Sequence, residues 1–362
     1  MERNQVYNFS AGPSVMPEEV LWEAQAQMLN YQGTGMSVIE MSHRSPAFQE
    51  IFDDTKARLK HALQIPDTHE VLFLQGGATM QFSMVPLNLM HATGKADYAV
   101  TGNFSGIAAK EAEKYGTVNR VYDSTENSHT AIPTQEQLQL SGDASYFYYC
   151  SNNTIYGTQW QYVPDVGDVP LVCDMSSDIL SRPVDVSKFG IIFAGAQKNM
   201  APAGLTVAIV RKDLMGHALP FTPMLLDYKL QLDKDSMYNT PPCWCIYMLG
   251  LQLKWLDKQG GVEEMQRRAQ ARSSALYDYL DSSKLFKGRA EVSARSEMNV
   301  TFTTGSNELD ALFVKGAEER GLKHIKGHRI SGGMRASVYN AMPMAGVEAL
   351  LNYMSEFERE HL

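Results

Sequence analysis

The sequence predicts an α/β protein built around a mostly parallel β-sheet. Short apolar runs typical of buried strands recur between about residue 70 and residue 210, and helical patterns separate several of them. This alternation favours a parallel sheet covered on both faces, with ligands bound at the carboxyl ends of the strands. The seven predicted strands lie at 71–74, 98–100, 118–122, 146–149, 171–173, 191–193 and 206–210.

Helices are predicted around and between these strands. Residues 46–63 have an amphipathic pattern that places Phe48, Ile51 and Phe52 on or near one face. After Gly260 and Gly261 the pattern changes to charged helices and one further strand, at 298–303, which suggests a second, α+β unit. The other predicted helices lie at 80–91, 104–115, 262–280, 308–320 and 345–360.

We therefore expect two domains in this chain of 362 residues. The large ligand-binding domain is predicted over residues 16–258, and the small α+β domain over residues 1–15 and 259–362. No internal repeat or low-complexity tract interrupts this division.

Composition narrows the functional classes. The chain has 32 basic and 41 acidic residues, a formal net charge of −9, and the two signs are mixed, which weighs against nucleic acid as the main partner. No apolar run approaches the ~20 residues of a membrane helix. The first residues lack the order of a signal peptide, so we expect a cytoplasmic protein with no membrane partner.

The cysteines and histidines predict neither disulfides nor a metal site. Cys150, Cys173, Cys243 and Cys245 have no paired CxxC spacing and are expected to be reduced thiols. The nine histidines include no HExxH-type pair. Chemistry is therefore expected from other side chains.

Lys198 and Asp174 are the most informative residues of the chain. Lys198 lies in a turn rich in glycine and alanine between two apolar strands, where small residues allow close approach of backbone and cofactor. Asp174 directly follows the strand at 171–173. A turn-borne lysine and a strand-terminal aspartate are the groups that pyridoxal phosphate requires, one for its aldehyde and one for its pyridine nitrogen. We therefore predict Lys198 to form a Schiff base with this cofactor.

A glycine-rich segment at 74–81 could bind the phosphate group of such a cofactor. It follows a strand and opens a helix, so small residues leave backbone N–H groups free at the positive helix end. Glycine-rich turns of this kind are common, and this one gains weight only beside Asp174 and Lys198. Ala78 and Thr79 are the predicted phosphate contacts.

Two clusters of arginine and histidine predict an anionic substrate. The first lies at 42–45, and the second, at 327–335, combines a second His-Arg pair with two glycines and Arg335. Guanidinium groups give two parallel charge-assisted hydrogen bonds to carboxylates and phosphates. A substrate with at least two negative charges fits both clusters.

Several motifs together resemble the phosphoserine aminotransferase family, whose members are enzymes of fold type I that use pyridoxal phosphate. The resemblance extends from residue 6 to the last helix, and its motifs lie at 8–14, 41–45, 174–183, 194–199, 239–242 and 327–343. It implies transfer of an amino group from L-glutamate to 3-phosphohydroxypyruvate, giving O-phospho-L-serine and 2-oxoglutarate in serine biosynthesis. It also implies a possible second reaction on 4-phosphohydroxythreonine in pyridoxine biosynthesis.

The resemblance assigns cofactor contacts by matching position. Lys198 would bind the cofactor and carry the proton, and Asp174 would keep its pyridine nitrogen protonated. Phe104 stands where the family usually has a tryptophan, stacked on the ring. The other implied contacts are Thr154 at the ring oxygen, Ala78, Thr79 and Gln197 at the phosphate, and Asn239 and Thr240 at the phosphate of the partner subunit, which implies a homodimer with shared active sites.

Substrate contacts follow from the same resemblance. Arg335 would bind the α-carboxylate. The distal anion, a carboxylate in glutamate and a phosphate in the acceptor, would be held by His43, Arg44, His328 and Arg329, with Ser10 nearby. Arginines accept either anion, and the histidines add charge for the phosphate.

Three alternatives remain at the level of the sequence, and one of them is another aminotransferase of the same fold that acts on a different small substrate. A desulfurase of the same fold needs a mobile catalytic cysteine, for which only Cys243 and Cys245 lie in a candidate exposed segment. A non-catalytic phosphate-binding α/β protein would not need Lys198, Asp174 and Arg335 together.

Overall fold

A computed structural model describes residues 2–362, and its main feature is a seven-stranded sheet with the strand order β2-β10-β9-β8-β5-β3-β4. All seven predicted strands are present, and all pairs are parallel except those of β10, which is antiparallel to β2 and β9. The predicted α/β class is therefore confirmed. The strands of this sheet are β2 (His69–Leu74), β3 (Lys95–Val100), β4 (Thr117–Asp123), β5 (Phe147–Cys150), β8 (Leu171–Asp174), β9 (Ile191–Gly195) and β10 (Thr206–Arg211).

The remaining strands are short and lie outside this sheet. Four of them form two pairs, β1 with β13 and β6 with β7, and three form an antiparallel sheet of order β11-β12-β14. Only β12 was predicted. Five of the others have two residues and so carry no periodic signal, and β14 has only four residues. These strands are β1 (Tyr7–Asn8), β6 (Asn152–Asn153), β7 (Thr158–Gln159), β11 (Lys287–Gly288), β12 (Asn299–Thr303), β13 (Leu322–Lys323) and β14 (Met334–Ser337).

Nine α-helices lie within the described residues, and each predicted helix is among them within a few residues of its expected ends. Helix α2 begins after Ser45, whose hydroxyl accepts the N–H of Phe48, with Pro46 at the first helical position. The helices are α1 (Glu18–Ala26), α2 (Pro46–Ala62), α3 (Gly77–Leu89), α4 (Asn103–Ala112), α5 (Tyr228–Asp233), α6 (Cys243–Lys258), α7 (Gly261–Ser282), α8 (Asn307–Glu319) and α9 (Met344–His361). None of those described is long and apolar enough to cross a membrane.

Apart from the edge strand β4, the large sheet is largely buried on both faces, which explains its apolar strands. In β2, Val71 and Phe73 contribute to the core under α2 and α6, whereas Leu72 and Leu74 contribute to the core under α3 and α4. Successive side chains of a strand point to opposite faces, so both sets must be apolar when both faces are covered. The strand ends are left as the accessible edge.

A separate apolar core lies in the C-terminal part of the chain. It joins β12 and β14 to helices α7, α8 and α9 through aromatic contacts such as Phe286 with Phe313, whose ring centroids are 5.1 Å apart. Phe9 belongs to the same core, since β1 pairs in parallel with β13. We propose that this core defines the small domain predicted from the sequence, with boundaries at residues 15 and 259; Met1 lies outside the described residues.

Candidate active site

The turn that carries Lys198 follows from the sheet topology. Strands β9 and β10 are joined by residues 196–205, and so short a connection allows only antiparallel neighbours. The turn therefore stays at the carboxyl end of β9, where Ala196 donates its N–H to the carbonyl of Leu205 at 2.9 Å. Asp174, the last residue of β8, ends at the same edge because β8 and β9 are parallel neighbours.

Lys198 lies inside this edge with its ammonium group directed at Thr154. Its Nζ donates to Thr154 Oγ1 at 2.6 Å and lies 5.4 Å from the ring centroid of Phe104. Burial, and to a lesser degree Arg335, lowers the pKa of Lys198, although Asp174, Cys150 and Asp178 act in the opposite direction. A lowered pKa increases the fraction of neutral amine, the form that reacts with a carbonyl carbon.

Asp174 is a buried carboxyl group held by the backbone. Its side chain is 3% exposed, and its Oδ1 accepts the N–H of Ser176 at 2.9 Å. Burial raises the pKa of Asp174, while the bond from Ser176 and the charge of Lys198 lower it. A cationic group bound beside Asp174 would favour its ionised form.

The N-terminal segment packs directly on the lysine turn. Ser14 donates its N–H to the carbonyl of Gln197 at 3.0 Å and its hydroxyl to the carbonyl of Lys198. At Gly12, whose φ is +141°, a Cβ atom would lie 3.1 Å from Lys198 Cγ, so glycine permits this close approach. Ser10 lies in the same segment, where its N–H bonds to Asn8 Oδ1.

The glycine-rich segment forms the start of helix α3, where free backbone N–H groups suit an anion. Gly76 and Gly77 have positive φ values of 85° and 66°, which place the first turn of α3 directly after β2. The helix therefore begins earlier than residue 80, the predicted start. The N–H groups of Gly77, Ala78 and Thr79 have no partner within the helix because no turn precedes them. They are oriented to bind an anion at the positive end of the helix dipole.

Arg335 approaches Thr154 from the small sheet. It lies on β14, and its Nη1 donates to the carbonyl of Thr154 at 3.3 Å. No described carboxylate forms an ion pair with it, and its Nε has no hydrogen-bond partner among residues 2–362. Burial lowers the pKa of Arg335 from its usual value. This guanidinium therefore remains available to bind an anion.

His328 and Arg329 lie in a tight loop on the same side of the molecule. The loop is closed by the bond from Gly327 N–H to the carbonyl of Gly333, at 2.8 Å. Burial lowers the pKa of His328, and the charges of Arg335 and Arg329 lower it further. A bound anion would offset the positive charges of Arg335 and Arg329 beside His328.

The other predicted residues lie on exposed segments. Among residues 2–362, no hydrogen bond or ion pair joins His43 or Arg44 to Lys198 or Arg335. Arg44 is exposed in the segment that precedes α2. Asn239 and Thr240 are also exposed, and the carbonyl of Thr240 accepts the side-chain N–H of Gln75 at 3.0 Å. A single chain thus brings together Lys198, Asp174, Thr154, Phe104, Gln197 and Arg335.

Two buried polar groups near the site were not predicted to act there. Asp178 accepts bonds from Ser151 Oγ at 2.5 Å and Gln159 Nε2 at 3.1 Å, and it lies 3.5 Å from Arg182 Nη2. The 174–183 motif contains Asp178 and Arg182, yet carboxylates are common on protein surfaces, so the burial of Asp178 could not be predicted from this motif.

Asn152 and Asn299 form the second unpredicted group, which links the segment that follows β5 to the small sheet of β11, β12 and β14. Asn152 Nδ2 donates to Asn299 Oδ1 at 2.8 Å, and both residues are almost completely buried. Asn299 Nδ2 donates in turn to Ser337 Oγ at 2.9 Å and to the hydroxyl of Tyr339 at 3.2 Å. Ser337 is two residues from Arg335, so this contact fixes β14 relative to the strand end that carries Thr154.

The comparisons with known proteins agree with this geometry. A family model described as aminotransferase class-V matches residues 6–350. The chain is 52% identical over 361 residues to phosphoserine aminotransferase from Bacillus cereus, covering 100% of both proteins. It is 50% identical over 357 residues to the same enzyme from Pseudomonas putida, covering 99% of both.

Solved structures give the same result. The phosphoserine aminotransferase of Bacillus circulans subsp. alkalophilus has a TM-score of 0.97 and 43% identity, covering 99% of both chains. The pyridoxal phosphate-bound phosphoserine aminotransferase of Trichomonas vaginalis has a TM-score of 0.93 and 40% identity, covering 97% of this chain and 99% of that one.

Fold, site and matches define a class-V aminotransferase, an enzyme that depends on pyridoxal phosphate. Within that class, the chain belongs to the phosphoserine aminotransferase family. The family, the cofactor and the fold type predicted from the sequence are confirmed. The residues also fit the cofactor: a buried amine, free N–H groups at a helix start, an aromatic face and a buried carboxyl group.

The bond between Asn152 and Asn299 predicts a large loss of stability when it is removed. Asn299→Leu leaves Asn152 Nδ2 and the hydroxyls of Ser337 and Tyr339 with fewer partners. We expect the free energy of unfolding, measured by urea denaturation, to fall by ~3 kcal/mol or more, because each unpaired buried polar group costs ~1–3 kcal/mol. Asn127→Leu, at an exposed position, is the control and should change stability by less than ~0.5 kcal/mol. Equal effects of the two changes would contradict the role of Asn299.

Proposed function

We propose that this protein transfers the amino group of L-glutamate to 3-phosphohydroxypyruvate, producing O-phospho-L-serine and 2-oxoglutarate for serine biosynthesis. The observation that carries the proposal is a reactive amine, Lys198, beside an arginine, Arg335, that has no acidic partner among the described residues. A further cation, Arg329, and the imidazole of His328 lie near Arg335. This spacing of positive groups suits a substrate with an anion at each end.

The cofactor would be held by groups from several elements. When bound, pyridoxal phosphate supplies an aldehyde and a ring that withdraws electrons from the reacting carbon. Lys198 would hold it covalently, Phe104 would stack on its ring, and Asp174 would accept a hydrogen bond from its ring nitrogen. We assign the other contacts as the family resemblance implies: Thr154 at the ring oxygen, Ala78, Thr79 and Gln197 at the phosphate, and Asn239 and Thr240 at the partner subunit's phosphate.

Lys198 would also move the proton during transamination. Its pKa is lowered by burial, so a larger fraction of Nζ is neutral near pH 7 than for an exposed lysine. The hydroxyl of Thr154, 2.6 Å from Nζ, orients the amine. A base acts only in its neutral form, so the step in which the free amine of Lys198 removes a proton should be faster above its lowered pKa than below it.

Arg335 would bind the α-carboxylate shared by all substrates, through the face of its guanidinium that makes no contact with Thr154. His328 and Arg329 would bind the distal anion, together with His43 and Arg44, and Ser10 would lie close to it. An approaching phosphate would raise the pKa of His328, reversing the effect of Arg335 and Arg329. The distal carboxylate of glutamate, with one negative charge fewer than a phosphate dianion, would raise the pKa of His328 less.

We propose a homodimer, located in the cytoplasm, in which Asn239 and Thr240 complete the partner's site. Both residues are exposed in the single chain and lie next to Gln75, which directly precedes the glycine-rich turn. An exposed pair beside a phosphate turn is well placed to reach across a twofold axis. The alternative is that Asn239 and Thr240 act on the cofactor of their own subunit, and mixed dimers distinguish the two arrangements.

The cysteines argue against a desulfurase. Cys150 and Cys173 are buried in adjacent strands, and Cys245 is buried in the first turn of α6 with its thiol bonded to the carbonyl of Ala203. Burial raises the pKa of all four thiols, whereas a nucleophilic cysteine needs a lowered pKa.

Lys198→Ala should abolish transamination. It removes both the covalent attachment and the proton carrier, so we expect a loss of at least ~1000-fold in turnover with the fold intact. Stopped-flow absorbance of the glutamate half-reaction measures it, with circular dichroism as the test of folding. Lys188→Ala, at an exposed position, is the control, and more than trace turnover in Lys198→Ala would refute the assignment.

Asp174→Asn should leave the cofactor bound and slow the proton transfer. A neutral side chain no longer stabilises a protonated ring nitrogen, and the removal of one such charge typically costs ~100-fold or more in rate. Single-turnover kinetics with glutamate check the rate, and absorbance after gel filtration checks retention of the cofactor. Asp168→Asn is an exposed control. A wild-type half-reaction in Asp174→Asn would assign this residue another role.

Arg335→Lys and Arg329→Lys should have different effects. Loss of the forked guanidinium at Arg335 should lower kcat/KM about tenfold or more for phosphoserine, glutamate and alanine alike. Loss of the guanidinium at Arg329 should lower kcat/KM for phosphoserine and glutamate, which have a distal anion. It should leave the slow reaction of alanine, which has none, unchanged. A parallel loss on all three substrates in Arg329→Lys would exclude the distal-anion role.

Mixed dimers test whether the active site is shared. One chain carries Lys198→Ala, and the other carries Asn239→Ala with Thr240→Ala. If Asn239 and Thr240 act on the partner's cofactor, each mixed dimer has one site with both defects and one with neither. Activity at limiting cofactor should then rise above that of either homodimer, toward about half of wild type per mixed dimer, as expected for independent sites. No rise, with mixed dimers shown by tagged pull-down, would mean that the pair acts within its own subunit.

A further inference from the structure

A cavity that does not include Lys198 lies between the N-terminal segment and the first half of α7. Its volume is about 930 Å³, and its walls come from residues 3–8 and 14–21, the end of α6, the first half of α7 and residues 340–344. Neither Lys198, Asp174, Thr154 nor Arg335 lines it. We call it the N-terminal cleft.

Arg272 is the unusual residue of this cleft. It is only 3% exposed, and its Nη1 donates to the carbonyl of Met342 at 3.0 Å. Its Nε and Nη2 have no hydrogen-bond partner, and no carboxylate forms an ion pair with it among residues 2–362. Burial, followed by the charge of Arg268, lowers the pKa of Arg272 to about 10, so the group is still charged at neutral pH. A buried charge without a counter-charge is strongly unfavourable.

The other charges of the cleft do not compensate Arg272. Arg267 and Arg268 both bind Glu264, which does not line the cleft, and Arg3 lies 3.9 Å from Glu18. Four arginines and two glutamates line the cleft, so its lining has an excess of positive charge. An anion is the ligand that this arrangement favours.

A second buried polar atom specifies the ligand further. Asn340 also lines the cleft and is 3% exposed; its Nδ2 donates to the carbonyl of Leu180 at 2.8 Å, but its Oδ1 has no partner in the described chain. This oxygen accepts a hydrogen bond, whereas the free groups of Arg272 donate. The cleft therefore offers donors for a carboxylate and an acceptor for a neighbouring N–H or O–H group.

The rest of the lining is largely apolar. Tyr7, Met16, Leu21, Trp255 and Met344 contribute to it. A ligand with only a carboxylate and a hydroxyl would leave most of this surface uncovered. An apolar side chain would gain about 25 cal/mol for each Å² that it removes from water.

We propose that the N-terminal cleft binds an α-hydroxy or α-amino carboxylic acid with an apolar side chain. The carboxylate is held by Arg272, and the α-substituent donates to Asn340 Oδ1. This site is independent of the proposed transamination. Its ligand would contact segments that also touch the active site, because Asn340 donates its N–H to Asn199 Oδ1 at 3.0 Å and Ser14 bonds to Lys198.

The test uses the holoenzyme and two probes that differ by one hydroxyl group, L-3-phenyllactate and 3-phenylpropionate. Neither has an amino group to transfer. Trp255 lines the cleft, so tryptophan fluorescence reports binding, and isothermal titration calorimetry gives the dissociation constant and stoichiometry. We expect one site per chain and at least about fivefold tighter binding of phenyllactate, as one additional buried hydrogen bond provides.

Three variants locate the binding. Arg272→Gln should raise the dissociation constants of both probes at least about tenfold, because a charged hydrogen bond is lost. Ala271→Trp, at an exposed position on the wall, should block the cleft without altering any buried group, and it covers the case in which Arg272→Gln does not fold. Arg267→Gln is the matched control, since that side chain is 69% exposed and should leave both probes bound as in wild type.

The result that overturns the proposal is clear. If neither probe binds, or if binding survives both Arg272→Gln and Ala271→Trp, the cleft is not the site. If binding is lost instead in Arg335→Lys, the probes occupy the active site. Either outcome leaves the transaminase assignment intact, because that assignment is tested by turnover of phosphoserine and glutamate.

Discussion

Thr154 joins the two halves of the active site. Its hydroxyl accepts a hydrogen bond from Lys198, in the turn between β9 and β10, and its carbonyl accepts one from Arg335, on the small sheet. The distance between the amine and the guanidinium is therefore set by one residue that contacts both. A shift of the small sheet relative to the large one would change that distance directly, because no flexible segment lies between Thr154 and either contact.

The buried amides Asn152 and Asn299 hold the segment that carries Thr154, directly after β5 and β6, against the small sheet. Apolar contacts are not directional and tolerate sliding, whereas a buried hydrogen bond has a defined length and angle and costs energy when it is broken. The bonds from Asn299 to Ser337 and Tyr339 continue this fixed arrangement, and Tyr339 reaches the N-terminal segment through the carbonyl of Ala11, at 2.9 Å. The segment that packs on Lys198 is thus part of the same connected set.

The sequence predicts the parts of this protein that repeat a simple pattern. All seven strands of the large sheet were predictable because each contains a run of apolar residues. Six of them are largely buried, and the partly exposed edge strand β4 still has Val118, Val121 and Tyr122. Asp174 and Lys198 were predictable because strand ends and glycine-rich turns have local signatures. Asn152 and Asn299 are far apart in the chain and have no such signature, and their burial follows only from the packing of the two sheets. Arg272 lies on an amphipathic helix, where arginine normally indicates an exposed face, so its burial could not be predicted either.

The pairing of β1 with β13 has a consequence for how the chain is made. Tyr7 lies opposite Leu322, so the first strand leaves the ribosome long before its partner exists. At ~5–20 residues per second, the delay is roughly 15–60 s, during which Phe9 has no core to enter. The large sheet is complete at Arg211 and could form meanwhile. The segment that packs on Lys198 would then take its place last, and a nascent chain would acquire a finished active site only near the end of its synthesis.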